Sequence, residues 1–141
     1  MELPNALKGL TTQDEYNRWL HRRAAGHVRR DRKRGKKSAT TSNYKMAIHQ
    51  AVCDSAGKDA YTGELLDWKL LNQYNNKKSH KGKSNYKAKF SLLPTPDHVG
   101  NGSGPAKFKI CAWRTNDAKN DLSLEDFVAL CKKVVAWAKP K

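Results

Sequence analysis

The stretch that most constrains how this chain folds is residues 92–120, LLPTPDHVGNGSGPAKFKICAWRTNDAKN. Residues 92–99 predict a β-strand. Pro94 and Pro96 indicate an edge strand, because proline donates no hydrogen bond to a neighbouring strand. Residues 100–105 hold three glycines and an asparagine, a composition typical of hairpin turns. A strand that runs into such a turn predicts a second strand beside it.

The second strand is predicted over residues 107–113, where apolar and polar residues alternate. The alternation places Phe108, Ile110 and Ala112 on one face and Lys107, Lys109 and Cys111 on the other. The polar residues 115–120 then predict the beginning of a helix, which Asn116 opens. Asn120 is expected one turn further along the same face of that helix.

Three residues of this stretch form a candidate catalytic site: Asp97, His98 and Asn116. Asp97 and His98 are consecutive, so on a strand their side chains point to opposite faces. A carboxylate with an amide oxygen suits Mg²⁺ or Mn²⁺, and an imidazole is the usual general base. Hydrolysis of a phosphodiester needs a cation on the phosphate and a base on the attacking water, so these residue types predict that chemistry.

The order of these residues resembles that of the HNH, or ββα-metal (His-Me finger), endonucleases. The resemblance rests on residues 97–99 (DHV) and 116–119 (NDAK), with the glycine-rich turn and the second strand between them. It extends to residues 61–64 (YTGE) and 122–127 (LSLEDF), and it spans residues 60–137. It implies an α+β fold with a ββα-metal nuclease core, a two-stranded hairpin plus a helix, to which a basic N-terminal helical region is added.

The resemblance also implies roles for single residues. Asp97 would bind the metal, His98 would be the general base and Asn116 would be the second ligand. Asn120 is an alternative or third ligand. Arg114 and Lys119 are candidates for contacting the phosphate. The enzyme so implied is a DNA endonuclease with one Mg²⁺ or Mn²⁺ ion, which leaves 5′-phosphate and 3′-hydroxyl ends.

The chain departs from the family's pattern in three ways. The family's middle asparagine would fall within residues 106–108, and none of these is asparagine. The hairpin is shorter than is common, and paired Cys-x-x-Cys knuckles are absent from the sequence. These departures leave the support of His98 unexplained and predict a compact member without structural zinc.

The net charge of +15 over 141 residues, with a pI near 9.9, indicates a polyanionic partner, with nucleic acid first and an anionic membrane surface as the alternative. Together with the family resemblance, it makes double-stranded DNA the expected partner. No segment has the pattern of a signal peptide or the length of a membrane span, so we expect a cytoplasmic protein without a membrane partner. Cys53, Cys111 and Cys131 are widely spaced and are predicted to be reduced thiols. We expect no small-molecule cofactor, and the sequence leaves a homodimer open.

The N-terminal region predicts a basic helix. Thr12 and Glu15 form a capping box that starts it, and its apolar stripe fades after Gly26. Residues 22–37 hold nine Lys or Arg and one Asp. So dense a charge repels itself without a polyanion, so we expect phosphate contacts here, against the alternative of a solvated helix face. The predicted contacts are Arg22, Arg23, Arg29, Arg30, Arg32, Lys33, Arg34, Lys36 and Lys37.

Residues 43–55 predict a second helix, capped by Thr41 or Ser42. Its expected buried face is Tyr44, Ala47, Ile48, Ala51 and Val52. Residues 59–68 predict a hairpin, followed by a short helix over residues 68–75 that Asp67 caps.

Residues 76–89 predict a basic loop, either flexible or in contact with nucleic acid. Its candidate contacts are Lys77, Lys78, Lys81 and Lys83. Ser123 is expected to cap the last helix, whose broad apolar face predicts a place in the core.

We divide the chain into a basic, nucleic-acid-binding helical arm (residues 1–40) and a nuclease domain (residues 41–141). Two alternative functions stay open. One is a basic, non-catalytic nucleic-acid-binding protein in which Asp97 and His98 are incidental, and the other is a ribonuclease of the same fold. The charge fits all three functions equally. The order of Asp-His, Asn and a capped helix is what favours the DNA endonuclease.

Overall fold

The computed structural model describes residues 1–73, 88–100 and 104–140. Within these residues the chain has four α-helices and a two-stranded antiparallel hairpin, which confirms the predicted α+β class. The elements are α1 (Gln13–Lys33), α2 (Thr41–Ser55), β1 (Pro94–Val99), β2 (Lys107–Ala112), α3 (Trp113–Lys119) and α4 (Leu124–Ala138), with short 3₁₀ helices at Asn5–Leu7 and Trp68–Leu70.

Helix α1 begins where the capping box predicts. The Thr12 side chain accepts a hydrogen bond from the Glu15 backbone N–H, which satisfies a free donor of the first turn. The predicted fading of the apolar stripe after Gly26 is wrong, because Val28 and Asp31 are also buried, with 5% and 7% exposure. The buried face of α1 therefore continues through the basic segment.

Helix α2 begins at Thr41, two residues earlier than predicted. Thr40 caps it by accepting from the Asn43 backbone N–H, so the prediction of a cap at Thr41 or Ser42 is wrong. The predicted face is confirmed, with Tyr44, Ile48, Ala51 and Val52 buried and Ala47 partly buried.

The hairpin pairs β1 with β2 in a register that sets Asp97 opposite Lys109 and His98 opposite Phe108. Each strand is slightly shorter than predicted, since β1 starts at residue 94 and β2 ends at residue 112. Cys111 is wholly buried, although it shares a strand face with exposed lysines. The reason is that Asp59 and its neighbours pack against this end of β2 through hydrogen bonds.

Residues 59–68 do not form the predicted hairpin. Their pairing within the described part of the chain is one isolated bridge between Lys58 and Leu65. The Asp59 carboxylate accepts from the backbone N–H groups of Tyr61 and Thr62 and so bends the chain into a turn.

Asp67 caps the next turn as predicted, but the helix there is a single 3₁₀ turn, Trp68–Leu70. Most of the predicted basic loop, with Lys77, Lys78, Lys81 and Lys83, lies outside the described residues.

One hydrophobic cluster joins α1, α2 and β2. Leu20, Ile48 and Ile110 from these three elements are each at most 1% exposed. Trp19 of α1 meets Trp68 edge to face, with ring centroids 5.9 Å apart. The boundary expected at residue 40 therefore falls inside a continuous core.

Helix α3 follows β2 without a loop, so Asn116 is its fourth residue and the expectation that Asn116 opens the helix is wrong. The helix starts early because Asp59 accepts from the Ala112 backbone N–H and the Thr115 hydroxyl and so anchors its first turn. Asn120 lies beyond the helix end with a φ of 52°, so it is not one turn further along the same face.

Helix α4 is capped by Ser123 through the Asp126 backbone N–H, as predicted. Its predicted place in the core is wrong, because none of its described residues is buried; Leu130 and Val134, for example, are 47% and 59% exposed. Helical periodicity identified the apolar face but carries no information on what covers it. Among the described residues, none of the helices combines the length and apolarity that crossing a membrane requires.

Candidate active site

One pocket of about 310 Å³ brings together the four residues predicted to catalyse or to bind metal, Asp97, His98, Asn116 and Asn120. The N-terminal helix α1 forms another wall of this pocket. The remaining lining residues are His27, Arg30 and Asp31 of α1, Arg34 at its C-terminal cap, Pro96 of β1, Asp117 of α3, and Asp121 after it. The basic helix and the Asp-His strand therefore share one site.

Asp97 is 8% exposed, and its Oδ2 atom has two partners. The Tyr61 hydroxyl donates to it over 2.6 Å, and Lys119 Nζ lies 3.0 Å away. The same ammonium group lies over the Tyr61 ring, 5.6 Å from its centroid. Burial, and next the Asp97 carboxylate, raise the pKa of the Tyr61 hydroxyl, so Tyr61 remains a hydrogen-bond donor to Asp97.

His98 contacts a different set of groups from Asp97, as the alternation of side chains along a strand predicts. Its Nδ1 atom lies 3.1 Å from Oδ2 of Asp31 on α1, and its ring stacks on Phe108 with centroids 4.8 Å apart. Burial lowers the pKa of His98; Lys36 and Arg34 act in the same direction, while Asp31 and Asp97 oppose it. The imidazole is therefore neutral at neutral pH, which is the state that accepts a proton.

His27 also lies in the pocket, beside His98. The two ring centroids are 6.1 Å apart, and the His27 ring meets Phe108 edge to face at 5.0 Å. Burial, followed by the positive charge of Arg30, lowers the pKa of His27 to about 4, although a hydrogen bond to the Pro96 backbone carbonyl opposes this shift. His27 is therefore an uncharged residue of the pocket lining at neutral pH.

Asp59 fixes α3, and with it Asn116, relative to the hairpin. It is 2% exposed, and its carboxylate accepts from three backbone N–H groups and the Thr115 hydroxyl. Burial alone would raise the pKa of Asp59, but these hydrogen bonds outweigh it and hold the pKa below its ordinary value. The carboxylate is therefore charged under ordinary conditions and binds the turn, β2 and α3 together.

The predicted phosphate contacts fall into several groups. Arg30 and Arg34 line the pocket, whereas Arg29, Lys33 and Lys37 are exposed elsewhere. Others have protein partners: Arg22 pairs with Asn72, Arg32 donates to the Ala39 carbonyl, Lys36 donates to the Gly104 carbonyl and Arg114 pairs with Glu64. Arg23 is half-buried on α1. Lys119, 5% exposed and paired with Asp97, does not face solvent as a phosphate contact would.

The chain was compared with family models, curated proteins and solved structures. None of them matches it. The assignment of the site therefore rests on the chemistry and geometry of its own residues.

Oxygen donors suited to Mg²⁺ or Mn²⁺ line the pocket: the carboxylates of Asp97, Asp117 and Asp121 and the amides of Asn116 and Asn120. Among the described residues, no group of three or more His, Cys, Asp or Glu side chains is arranged so that it could hold a metal ion.

Sequence reasoning missed the residues that hold the site residues in place, namely Asp31, Tyr44, Asp59 and Tyr61. Asp31 carried a usable signal, because it is the one acidic residue in the basic segment and lies three residues after the buried Val28. Tyr61 lies within residues 61–64, which the family resemblance includes, but nothing in its spacing predicts a hydrogen bond to Asp97.

Proposed function

We propose that this chain is a metal-dependent DNA endonuclease of the ββα-metal (HNH) type, with His98 as its general base. The observation that carries the proposal is that Asp97, His98 and Asn116 line one pocket together with Arg30 and Arg34. A base, oxygen ligands for a cation, and guanidinium groups for phosphate are the components that phosphodiester hydrolysis requires.

The order of elements supports the same proposal. β1, β2 and α3 follow one another in the chain with no other helix or strand between them in the described residues. The proposed base and first ligand lie on β1, and the second ligand lies on α3. This is the strand–strand–helix order that the family resemblance implies.

Asp97 and Asn116 would hold one Mg²⁺ or Mn²⁺ ion, with Asn120, Asp117 or Asp121 as further oxygen donors. Tyr61 and Lys119 both contact Oδ2 of Asp97, and Oδ1, which has no partner among the residues that the structure describes, would be the oxygen that binds the cation. When bound, the ion supplies stabilisation of the negative charge on the phosphate and on the leaving 3′ oxygen.

Side chains of the protein carry out proton transfer and phosphate binding. His98 takes the proton from the water that attacks the phosphorus atom, and its neutral state at neutral pH allows this. Arg30 of α1 and Arg34 at its C-terminal cap line the same pocket, and their guanidinium groups bind oxygens of the phosphate backbone. The family resemblance implies products with 5′-phosphate and 3′-hydroxyl ends.

The test is to incubate the purified protein with supercoiled plasmid in Mg²⁺, Mn²⁺ or EDTA, beside the variants His98→Ala and His21→Ala. His21 is an exposed histidine of the same basic helix as Arg30, and its variant serves as the matched control. We expect metal-dependent nicking by the native protein and the control, none by His98→Ala, and equal DNA binding by all three. Normal cleavage by His98→Ala would contradict the assignment of the base.

A second candidate, a non-catalytic nucleic-acid binder, is favoured by one observation: Lys119 already neutralises Asp97 without a metal ion. Calorimetry with Mn²⁺ separates the two functions. The endonuclease predicts a binding site that is lost in Asp97→Ala, whereas the binder predicts no site and no turnover. Single-stranded and duplex RNA tested beside the plasmid would reveal a ribonuclease of the same fold.

A further inference from the structure

Asp31 provides His98 with a partner that the family resemblance does not include. Its Oδ2 atom lies 3.1 Å from His98 Nδ1, and the carboxylate is 7% exposed on the inner face of α1. The Tyr44 hydroxyl of α2 donates to the same oxygen. A carboxylate in this setting accepts hydrogen bonds and donates none, so the facing nitrogen of His98 must carry a proton.

We propose that Asp31 is a positioning residue that holds His98 in the tautomer with its proton on Nδ1 and its lone pair on Nε2. A neutral imidazole has a single N–H, so a proton held on Nδ1 leaves Nε2 as the acceptor. That is the state a general base needs. This inference rests on the proposed role of His98, through which alone Asp31 would act.

The rings around His98 fix its orientation as Asp31 fixes its tautomer. Phe108 stacks against one face at 4.8 Å with an interplanar angle of 25°. Tyr44 and His27 meet the imidazole edge to face, at 5.9 Å and 6.1 Å between centroids. A half-turn of the ring would keep the stack on Phe108 but would lose the contact between Nδ1 and Asp31, so the rings fix the plane of the imidazole and Asp31 selects one of its two flipped orientations.

The charge change in Asp31→Asn separates an effect on DNA binding from an effect on His98. Asp31 lies between basic residues, and Arg30 of the same helix and Arg34 at its C-terminal cap line the pocket. The variant Asp31→Asn removes a negative charge from this surface, so its attraction to DNA should stay the same or increase. A loss of turnover in this variant therefore has its cause in His98 and not in weaker binding of DNA.

The first experiment uses the native protein with ¹⁵N-labelled histidine. A long-range ¹H–¹⁵N correlation spectrum shows which nitrogen of each imidazole carries the proton, and His98→Gln identifies the His98 signals. We expect the proton on Nδ1. A proton on Nε2 would overturn the inference whether or not the protein cuts DNA, and this measurement needs no altered Asp31.

The second experiment compares Asp31→Asn with Asp54→Asn, which makes the same charge change at an exposed position of α2. For Asp31→Asn we expect a shift of His98 toward the Nε2–H tautomer and a fall in kcat of about 10- to 100-fold, with KM for DNA unchanged or lower. The control should match the native protein in all three measurements.

The two proposals fail in different ways. If Asp31→Asn keeps both the tautomer and kcat while His98→Ala is inactive, the role of Asp31 is overturned and the endonuclease stands. If the native protein does not cut DNA, the proposed function fails, and the spectrum of native His98 still decides whether Asp31 sets the tautomer.

Discussion

Lys119 Nζ lies 3.0 Å from Asp97 Oδ2, and the two side chains are only 6% and 10% exposed. The protein thus supplies a fixed cation beside the carboxylate that we assign to the metal. Removing either member of so enclosed a pair leaves the other charge buried without a partner, which costs more than the pair itself contributes. The pair therefore offers a direct way to probe the charge balance of the site.

Replacing Lys119 by methionine keeps the side-chain length and removes the charge. We expect the free energy of unfolding in EDTA to fall by about 3–5 kcal/mol. Mg²⁺ should stabilise this variant more than the native protein, because the ion replaces the lost charge beside Asp97. Urea unfolding with and without Mg²⁺ measures both effects, with the exposed Lys132→Met as the control. Equal stability of Lys119→Met and the native protein would contradict this account.

Arg30 of α1 and Arg34 at its C-terminal cap are the two arginines that line the pocket. Replacing both by glutamine should weaken DNA binding and make the slope of log Kd against log salt shallower by about 2, since each phosphate contact contributes about 0.9. Fluorescence anisotropy at several salt concentrations gives the slope. Replacing Lys132 and Lys133 of α4 by glutamine removes the same charge away from the pocket. A change of equal size in that control would assign the effect to net charge.

His27 makes stability depend on pH because its pKa in the folded protein is about 4, against an ordinary value of 6.5. Between these values the unfolded chain binds a proton that the folded protein does not, so stability is lost as the pH falls from 6.5 to 4. The loss approaches about 3 kcal/mol at the lower end. Chemical unfolding in EDTA across this range should show a flatter profile for His27→Gln. The exposed His21→Gln is the control, and a profile that His27→Gln leaves unchanged would refute the assignment.

Asp59 accepts hydrogen bonds from the turn, from β2 and from α3 at a position that is 2% exposed. Asp59→Ala should lower the free energy of unfolding by at least about 3 kcal/mol, because it leaves several buried donors without an acceptor. Asp54→Ala, on the exposed side of α2, should change it by less than about 0.5 kcal/mol. Thermal or urea unfolding compares the two variants, and similar losses would show that Asp59 does not join these elements.

The apolar face of α4 lies exposed, whereas Ile48 of α2 is wholly buried. Val134→Ser should therefore change the free energy of unfolding by less than about 0.5 kcal/mol. Ile48→Ala should cost about 2–5 kcal/mol, since it leaves a cavity in the core. A loss of several kcal/mol in Val134→Ser would mean that α4 is packed against other residues in solution.

Structural features that depend on contacts within a few residues could be predicted from the sequence. The caps at Thr12, Asp67 and Ser123 are contacts across two or three residues, and the structure confirms each of them. The hairpin followed from its turn composition and its alternating pattern. The extra early residues of α3 could not be predicted, because they depend on Asp59, which lies in a separate segment of the chain.

Contacts between segments that are distant in the sequence account for the remaining differences between the predictions and the structure. The sequence places Asp97 and His98 on opposite faces of a strand, but it does not say that Lys119 and Asp31 are their partners. The local composition around Asp31 is strongly basic, so composition alone does not indicate a role for this one carboxylate. The periodicity of α4 is equally strong whether its apolar face meets the core or solvent.

Three elements meet at Oδ2 of Asp31, which belongs to α1. The Tyr44 hydroxyl of α2 donates a hydrogen bond to this oxygen, and the His98 imidazole of β1 contacts it. During synthesis α1 and α2 leave the ribosome well before β1. A nascent chain therefore exposes its cationic helix α1 before His98 has been synthesised. If the proposed activity is correct, the growing polypeptide can hold nucleic acid before it can cut it, and hydrolysis starts only when β1 docks.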